Sequence, residues 1–406
     1  MCSNAWDSGS AARRAESRTT ATDYLKRLFP RKEFESLFLF VTSRCNSLCR
    51  TCFYWDNLNK NQDLTFEQIE TISRTAPRFA KLWLSGGEPF LRPELSEIIC
   101  LFYRNNGIRH LNLPTNGLLP EKVHAVVTRV LRDCPELTVD LNFSLDGLAN
   151  THDTIRGVPN NFQRTLKTIE RMSEFKSVRR LRRNVVTVIT RENYEELVRL
   201  GAHLFQNAEV MGQYFEIIRG NPMDPGLRQL TLDQVRELHR QLMPLHEAYA
   251  ERLFGHLAPA ARFFARMYYV GTLKLHFQIH EECFTRPHRW PMPCTAGVTS
   301  AVIDHNGEFR ACELRPAIGR LQDFQFDLGA ALRSPAMQKE VQAIPEANCW
   351  CTHSCFISDS MKFAPRVLLF HVPWSYLKHR LSRTRQLSLD EIRRFHAPEA
   401  SSMASQ

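Results

Sequence analysis

Six short runs of apolar and β-branched residues alternate with segments of helical periodicity in the first half of the chain. They predict strands at 36–42, 81–85, 109–113, 138–143, 184–189 and 213–218. Five longer segments separate these runs, and Thr65 with Gln68 has the spacing of a capping box at the start of the first helix. Because each crossover is long enough for a βαβ unit, the pattern predicts an α/β fold with a partial (β/α)6 TIM-like barrel.

The alternation ends after the sixth strand. Thr231 with Gln234 predicts a helix that extends to about Phe254, and a second helix is expected after Pro259. Further on, the sequence DHNGEF predicts a hairpin turn within a small cysteine-rich α+β domain. We therefore expect an N-terminal extension at 1–34, the barrel at 35–220, a helical connector at 221–290, the cysteine-rich domain at 291–360 and a basic tail at 361–406.

Composition narrows the class of protein. Hydrophobic residues make up 43 % of the 406 positions and charged residues 24 %, which is typical of a globular protein. No apolar run approaches the ~18 residues of a membrane span, and the polar start lacks the apolar core of a signal peptide. These features predict a cytoplasmic protein. In a reducing compartment, its 12 cysteines are expected to be metal or cluster ligands rather than disulfides.

Lys and Arg outnumber Asp and Glu by 53 to 43, and half of this excess lies in the tail at 361–406. A solvated basic surface is the favoured interpretation, and nucleic-acid binding is disfavoured because charge alone supports it. Within the tail, the sequence APRVLLFHVPWSYLKHRLSRTR predicts short amphipathic helical pieces. We expect them to pack on their own domain, with contact to a membrane surface or a partner as the less favoured alternative.

The first candidate site is a group of three cysteines, Cys45, Cys49 and Cys52, within eight residues directly after the first predicted strand. Three thiolates can hold three irons of a cubane cluster and leave the fourth iron open to another ligand. A closed structural zinc site needs four protein ligands, so zinc with a distant fourth ligand is the alternative.

This Cys-x3-Cys-x2-Cys spacing resembles the signature of the radical S-adenosylmethionine (SAM) superfamily. Four further motifs follow predicted strands in the family's order: Gly86-Gly87-Glu88-Pro89, Pro114-Thr115-Asn116-Gly117, Ser144-Leu145-Asp146-Gly147 and His152-Asp153-x-Ile155-Arg156-Gly157. The resemblance covers about residues 35–220. It implies an enzyme that reductively cleaves SAM at a [4Fe-4S] cluster to a 5′-deoxyadenosyl radical, which abstracts a substrate hydrogen atom.

The same resemblance assigns roles to individual residues. It implies that the cluster is held by Cys45, Cys49 and Cys52. The SAM-binding candidates are Gly86, Gly87, Glu88, Asn116, Ser144 and Arg156. Of these, Ser144 and Arg156 are expected at the carboxylate or ribose, and Arg219 is a further residue that could face this site. Thr51 departs from the family's usual aromatic residue before the third cysteine, and Phe53, Tyr54 and Trp55 follow instead.

A second group of cysteines lies downstream. Cys294, Gly307 and Cys312 resemble the start of the SPASM or twitch module, which carries an auxiliary cluster after the barrel in related enzymes. The resemblance implies one probable auxiliary [4Fe-4S] cluster, with Cys294, Cys312, Cys351 and Cys355 as ligands and Cys349 as the alternative to Cys351. A zinc-ribbon-like site is the alternative for this group. Cys100, Cys134 and Cys283 are expected to be buried thiols.

An auxiliary cluster favours oxidation or bond formation on a small-molecule or peptide substrate. The implied partner is an electron donor such as flavodoxin or ferredoxin. Two alternatives stay open at this stage. One is a ribosomal peptide maturase, and the other, from a different class, is a non-catalytic SAM-binding iron–sulfur sensor or scaffold.

Overall fold

Six parallel strands form the centre of the protein in a computed structural model that describes residues 32–285, 290–346 and 351–382. The strands are β1 (Ser36–Thr42), β2 (Lys81–Gly86), β3 (His110–Thr115), β4 (Thr138–Ser144), β5 (Leu181–Ile189) and β6 (Gly212–Ile217). Each pairs in parallel with the next along the chain. The predicted α/β class with a partial (β/α)6 barrel is confirmed.

Helices connect these strands. They are α1 (Phe66–Thr75), α2 (Leu95–Asn106), α3 (Pro120–Asp133), α4 (Ala149–Arg156), α5 (Asn161–Arg171) and α6 (Leu197–Asn207). The predicted capping box begins α1, since Gln68 N donates to Thr65 Oγ1 at 3.3 Å and Thr65 N donates to Gln68 Oε1 at 2.9 Å. In α3, Val123, Val127 and Val130 are buried, and this spacing of apolar residues turns one face of the helix towards the sheet.

Two long helices follow the barrel, α7 (Leu232–Phe254) and α8 (Pro259–Thr285). The predicted capping box at Thr231 forms here too, with Gln234 N donating to Thr231 Oγ1 at 3.2 Å. Among the described residues, no helix combines the length and the apolar character needed to cross a membrane.

The remaining elements belong to the cysteine-rich segment and the tail. They are β7 (Ser300–Ile303), β8 (Glu308–Arg310), β9 (Gly319–Arg320), α9 (Leu328–Leu332), α10 (Pro335–Glu346), α11 (Ser354–Lys362), a π-helical turn (Val367–His371) and α12 (Val372–Leu381). The predicted hairpin joins β7 to β8, with Gly307 at its turn in the left-handed conformation, φ +85°.

This hairpin continues the sheet of the barrel. β7 pairs in parallel with β1, from Ser36 opposite Ser300 to Leu39 opposite Ile303. Within the described residues, the sheet therefore has nine strands in the order β6-β5-β4-β3-β2-β1-β7-β8-β9. Pairing with β7 satisfies backbone groups of β1 that would otherwise form an open sheet edge.

Candidate functional site

A cavity of about 700 Å³ follows the inner faces of the barrel strands to their carboxyl ends. Its lining includes the three cysteines of the first group, Cys45, Cys49 and Cys52, and one of the second group, Cys355. Ligands bind at this end of the strands in parallel α/β sheets. The first cysteine group and Cys355 therefore line a single cavity.

The loop that carries the first three cysteines is anchored by Arg50. Its guanidinium forms ion pairs with Glu192 after β5, at 2.6 Å, and with Asp224 after β6, at 2.5 Å. The carbonyl oxygen of Cys52 also accepts a hydrogen bond from Met223 N at 3.1 Å. These contacts fix the cysteine loop across the opening of the barrel. Sequence reasoning missed this anchor because isolated charged residues in separate loops carry no local signal.

The three thiols lie close enough to influence one another. Burial, with a smaller contribution from the charge of Cys49, raises the pKa of Cys45 to about 12 and the pKa of Cys52 to about 11. Burial also raises the pKa of Cys49, and the positive charge of Arg156 opposes this shift. Since cluster ligands are thiolates, loading these cysteines with iron must release protons.

The donor set fits an iron–sulfur cluster with one open iron. Cys45, Cys49 and Cys52 are free thiols that share the wall of one cavity, and thiolates are the protein ligands of such clusters. In the described ranges, no three or more His, Cys, Asp or Glu side chains are arranged to hold a single metal ion. The fit therefore rests on donor chemistry and the shared cavity.

The loop after β2 lies directly on the cysteine loop. Gly86 has φ +119°, and a Cβ atom there would lie 2.3 Å from Thr42 O. A Cβ on Gly87 would lie 2.0 Å from Arg44 O, and Glu88 N donates to that same oxygen at 2.8 Å. Only glycine permits this backbone approach, so the predicted Gly86-Gly87 motif has a steric reason.

Glu88 links this loop to the next one. Its carboxylate accepts hydrogen bonds from Asn116 N at 2.7 Å and Thr115 Oγ1 at 2.9 Å. Burial raises the pKa of Glu88 to about 7, although these hydrogen bonds oppose the shift. The Asn116 side chain donates to Asn46 Oδ1 at 2.7 Å and to Ser47 Oγ at 3.1 Å, within the cysteine loop. Contacts of Glu88 and Asn116 with SAM stay predictions.

Arg156 lies between a buried carboxylate and the thiol of Cys49. Its Nε is 2.8 Å from Asp146 Oδ2, and its Nη1 is 3.7 Å from Cys49 Sγ. Asp146 is fully buried, and its Oδ1 accepts a hydrogen bond from Val188 N at 2.9 Å. Sequence reasoning gave Asp146 no role, although its motif and that of Arg156 follow the same strand. Ser144, the last residue of β4, also lines the cavity, and its contact with SAM stays a prediction.

Arg219 connects the two cysteine groups. Its Nε donates to Glu313 Oε1 at 3.0 Å, and its guanidinium carbon lies 5.1 Å from the centre of the Phe53 ring. Phe53 directly follows Cys52, and Glu313 directly follows Cys312. Burial alone would raise the pKa of Glu313, but the charges of His353 and Arg219 lower it to about 2. An anionic Glu313 thus holds the Arg219 guanidinium in the cavity wall.

Three cysteines of the second group, Cys294, Cys312 and Cys351, lie near one another. Cys312 follows β8 and is buried, and burial raises its pKa, as do the charges of Cys351 and Cys294. Cys355, on α11, lines the cavity near Arg219. The alternative ligand Cys349 lies outside the described residues. Ligand roles for this group stay predictions.

Cys100 and Cys134 are buried as expected, with their sulfur atoms 3.4 Å apart, whereas Cys283 is only partly buried. Thr51 lines the cavity. Phe53 and Tyr54, which follow Cys52, also line it, while Trp55 is 39 % exposed. Phe53 and Tyr54 thus supply aromatic surface close to the position where the family pattern has it.

The barrel segment of this chain is similar in sequence to known proteins. Residues 39–203 match the model of the radical SAM superfamily. A probable GTP 3′,8-cyclase of Methanocaldococcus jannaschii is 35 % identical over 96 residues, which are 23 % of this chain and 32 % of the relative. The GTP 3′,8-cyclase of Staphylococcus aureus is 34 % identical over 100 residues, covering 22 % and 29 %. The match therefore spans about a third of the length of these relatives.

Solved structures share the fold over a larger part of the chain. Streptococcus suis SuiB bound to the precursor peptide SuiA has a TM-score of 0.52 and 15 % identity, covering 77 % of this chain and 67 % of that one. Native anSMEcpe with bound AdoMet has a TM-score of 0.54 and 15 % identity, covering 86 % and 100 %.

The family model that matches is the one that the motifs predicted. The matched range, 39–203, contains the three clustered cysteines and the four loop motifs that follow the strands. The two cofactors predicted for the barrel, a [4Fe-4S] cluster and SAM, are those of this superfamily. Residues 39–203 thus match the radical SAM superfamily, the family that the motifs predicted.

Proposed function

We propose that this chain is an enzyme that cleaves SAM reductively and abstracts a hydrogen atom from a substrate bound in the barrel. One observation carries the proposal: a single cavity joins Cys45, Cys49 and Cys52 to the SAM-binding loops and continues along the strands to Cys355. When bound, the [4Fe-4S] cluster supplies the electron that cleaves SAM to methionine and a 5′-deoxyadenosyl radical.

The chain's own residues would bind and orient SAM. The backbone at Gly86 and Gly87 can approach the methionine amino group because no side chain intervenes. Ser144 offers a hydroxyl and Arg156 a guanidinium held by Asp146, which suit a carboxylate or a ribose. Asn116 holds the cysteine loop and the loop after β3 together, so it would fix the distance between the cluster ligands and SAM.

The wall beyond the SAM loops suggests the kind of substrate. Asp140 and Arg182 form an ion pair at 2.6 Å, and Asn184 donates to Asn142 at 3.2 Å, so this part of the barrel is polar. On α7, both ring nitrogens of the fully buried His246 have no hydrogen-bond partner among the described residues. Burial lowers the pKa of His246 to about 3, so its ring is neutral and offers one donor and one acceptor.

These groups favour a substrate that brings an uncharged hydrogen-bonding group into the cavity. A peptide is the first class to test, because two proteins of the same fold, SuiB and anSMEcpe, have been solved with peptides. A small hydroxylated molecule could present the same chemistry. Formation of 5′-deoxyadenosine by the anaerobically reconstituted chain, with SAM and a reductant, tests the proposed reaction. Its absence while iron and SAM are both bound would favour a sensor or scaffold.

We further infer one auxiliary [4Fe-4S] cluster on Cys294, Cys312, Cys351 and Cys355. The charges of Cys294 and Cys351 raise the pKa of Cys312, which supports the proximity of these three cysteines, and Cys355 lines the proposed substrate cavity. A cluster there could accept an electron from a substrate radical, which favours oxidation or bond formation. Arg219 contacts both the Phe53 ring and the Glu313 carboxylate. These two contacts would hold the auxiliary site at a fixed position relative to the SAM site.

The auxiliary cluster is tested by iron analysis of a Cys312→Ala/Cys355→Ala variant. We expect its iron content to fall by about four atoms per chain while the first cluster stays, because two of four thiolate ligands are gone. Cys283→Ala is the matched control, since this thiol lies outside both groups, and it should keep the native iron content. Bound zinc in the native chain, or unchanged iron in the double variant, would contradict the inference.

A further inference from the structure

The last helix is fixed to the connector helices through one of its faces. Val372, Ser375 and His379 on α12 are buried, and His379 Nε2 lies 2.7 Å from Glu247 on α7. On α8, Gly271 makes room for this packing, because a Cβ atom there would lie 2.5 Å from Val372 O. The predicted packing of this amphipathic segment on its own protein is therefore present, and it sets which face points outward.

The outward face of this segment is apolar. Phe370 is 67 % exposed, Trp374 55 %, Leu377 44 % and Leu381 70 %. These positions recur every three or four residues, which places their side chains on one side of a helix. Single exposed apolar residues are common on protein surfaces, but a continuous row of large ones marks an interaction site.

The connector helix α8 extends this surface. Phe263 and Phe264 are more than half exposed, and the Phe263 ring centre lies 6.2 Å from that of Tyr376 on α12. Phe263 on α8 therefore lies beside α12. The aromatic patch consists of Phe263, Phe264, Leu369, Phe370, Trp374, Leu377 and Leu381.

The edge of the aromatic patch is cationic. Arg366, Lys378 and Arg380 are exposed, and Lys378 Nζ lies 5.6 Å from the centre of the Trp374 ring. Residues 366–382 contain no Asp or Glu. Apolar rings and leucines are therefore bordered by positive charge from the same helix.

We propose that the aromatic patch binds the surface of an anionic lipid membrane. Tryptophan, phenylalanine and leucine can enter the boundary between headgroups and acyl chains, while the lysine and arginine side chains reach the lipid phosphates. An anionic membrane has an apolar interior and negatively charged headgroups. The interior complements the apolar side chains of the patch, and the headgroups complement its cations. A purely apolar partner helix would leave the cations without counter-charges. The helix would lie on the membrane, with the barrel held in the adjacent water.

Vesicle flotation with the full chain tests this proposal. We expect the native chain to float with phosphatidylcholine vesicles that contain about 30 % phosphatidylglycerol, and to float poorly with phosphatidylcholine alone. Trp374→Ser/Leu377→Ser should lower anionic-vesicle partitioning by about tenfold or more, because buried apolar surface is lost. Lys378→Gln/Arg380→Gln should lower it by about tenfold, because both cations at the lipid surface are gone.

Arg104→Gln/Lys122→Gln is the control for charge. It removes two exposed cations from α2 and α3, and it should float as the native chain does. Failure of the native chain to float, or an equal loss in this control, would overturn the proposal. A dimer in sedimentation velocity that Trp374→Ser/Leu377→Ser dissociates would also overturn it, because the patch would then be an interface between two copies. All variants change exposed side chains, and unchanged thermal unfolding would confirm that they fold.

Discussion

Replacing Cys45, Cys49 and Cys52 together with alanine should abolish the formation of 5′-deoxyadenosine. The three thiols share the wall of the cavity that the loops proposed to bind SAM also line, and no other residue of the cysteine loop offers a thiolate. Without them the first cluster has no ligands, so no electron reaches SAM. The measurement is chromatographic detection of 5′-deoxyadenosine after anaerobic reconstitution with iron and sulfide, addition of SAM and reduction.

Cys283→Ala controls for the loss of a thiol outside the two groups and should retain activity. Thermal unfolding of the triple variant checks that the barrel still folds, since the loop remains anchored by Arg50. Product formation by a folded triple variant would place the reaction elsewhere and contradict the assignment of these cysteines.

The second large expected effect is a loss of stability when the buried ion pair between Asp146 and Arg156 is broken. Asp146→Ala should lower the free energy of unfolding by about 3–5 kcal/mol, the range found when one partner of a buried pair is removed. Asp146 is fully buried and the Arg156 side chain is 11 % exposed, so the remaining guanidinium has little access to water. Denaturant unfolding of the apoprotein measures this change.

Asp133→Ala is the matched control, because Asp133 pairs at 2.7 Å with an Arg132 side chain that is 70 % exposed. Loss of this surface pair should lower the free energy of unfolding far less than Asp146→Ala does, because solvent screens the exposed charges. Asp146→Ala/Arg156→Met should recover part of the lost stability, because no unpaired charge then remains buried. Equal destabilisation by Asp146→Ala and Asp133→Ala would contradict the role given to the buried pair.

Much of the barrel could be predicted because its signals are local. The apolar runs, the proline at the start of α3 and the capping boxes at Thr65 and Thr231 are all short-range features of the sequence. The pairing of β7 with β1 is different, because it depends on which sheet edge is open after the barrel has formed. No pattern in either strand specifies that partner.

The same distinction separates the predicted and unpredicted parts of the site. The cysteines and glycines stand in motifs directly after strands, so their shared position at one end of the barrel followed from topology. The pairing of Arg50 with Glu192, and of Arg219 with Glu313, joins distant loops through single charged residues. The outward aromatic face of α12 likewise depends on how α8 covers its other side.

Electron paramagnetic resonance tests the central claim most directly, because it reports on the iron that would bind SAM. The sample is the reduced Cys312→Ala/Cys355→Ala variant, in which the first cluster is the remaining one, measured with and without SAM. We predict that SAM changes the spectrum, because its amino and carboxylate groups would bind the open iron next to Cys45, Cys49 and Cys52. An unchanged spectrum, with SAM bound elsewhere in the protein, would contradict the account.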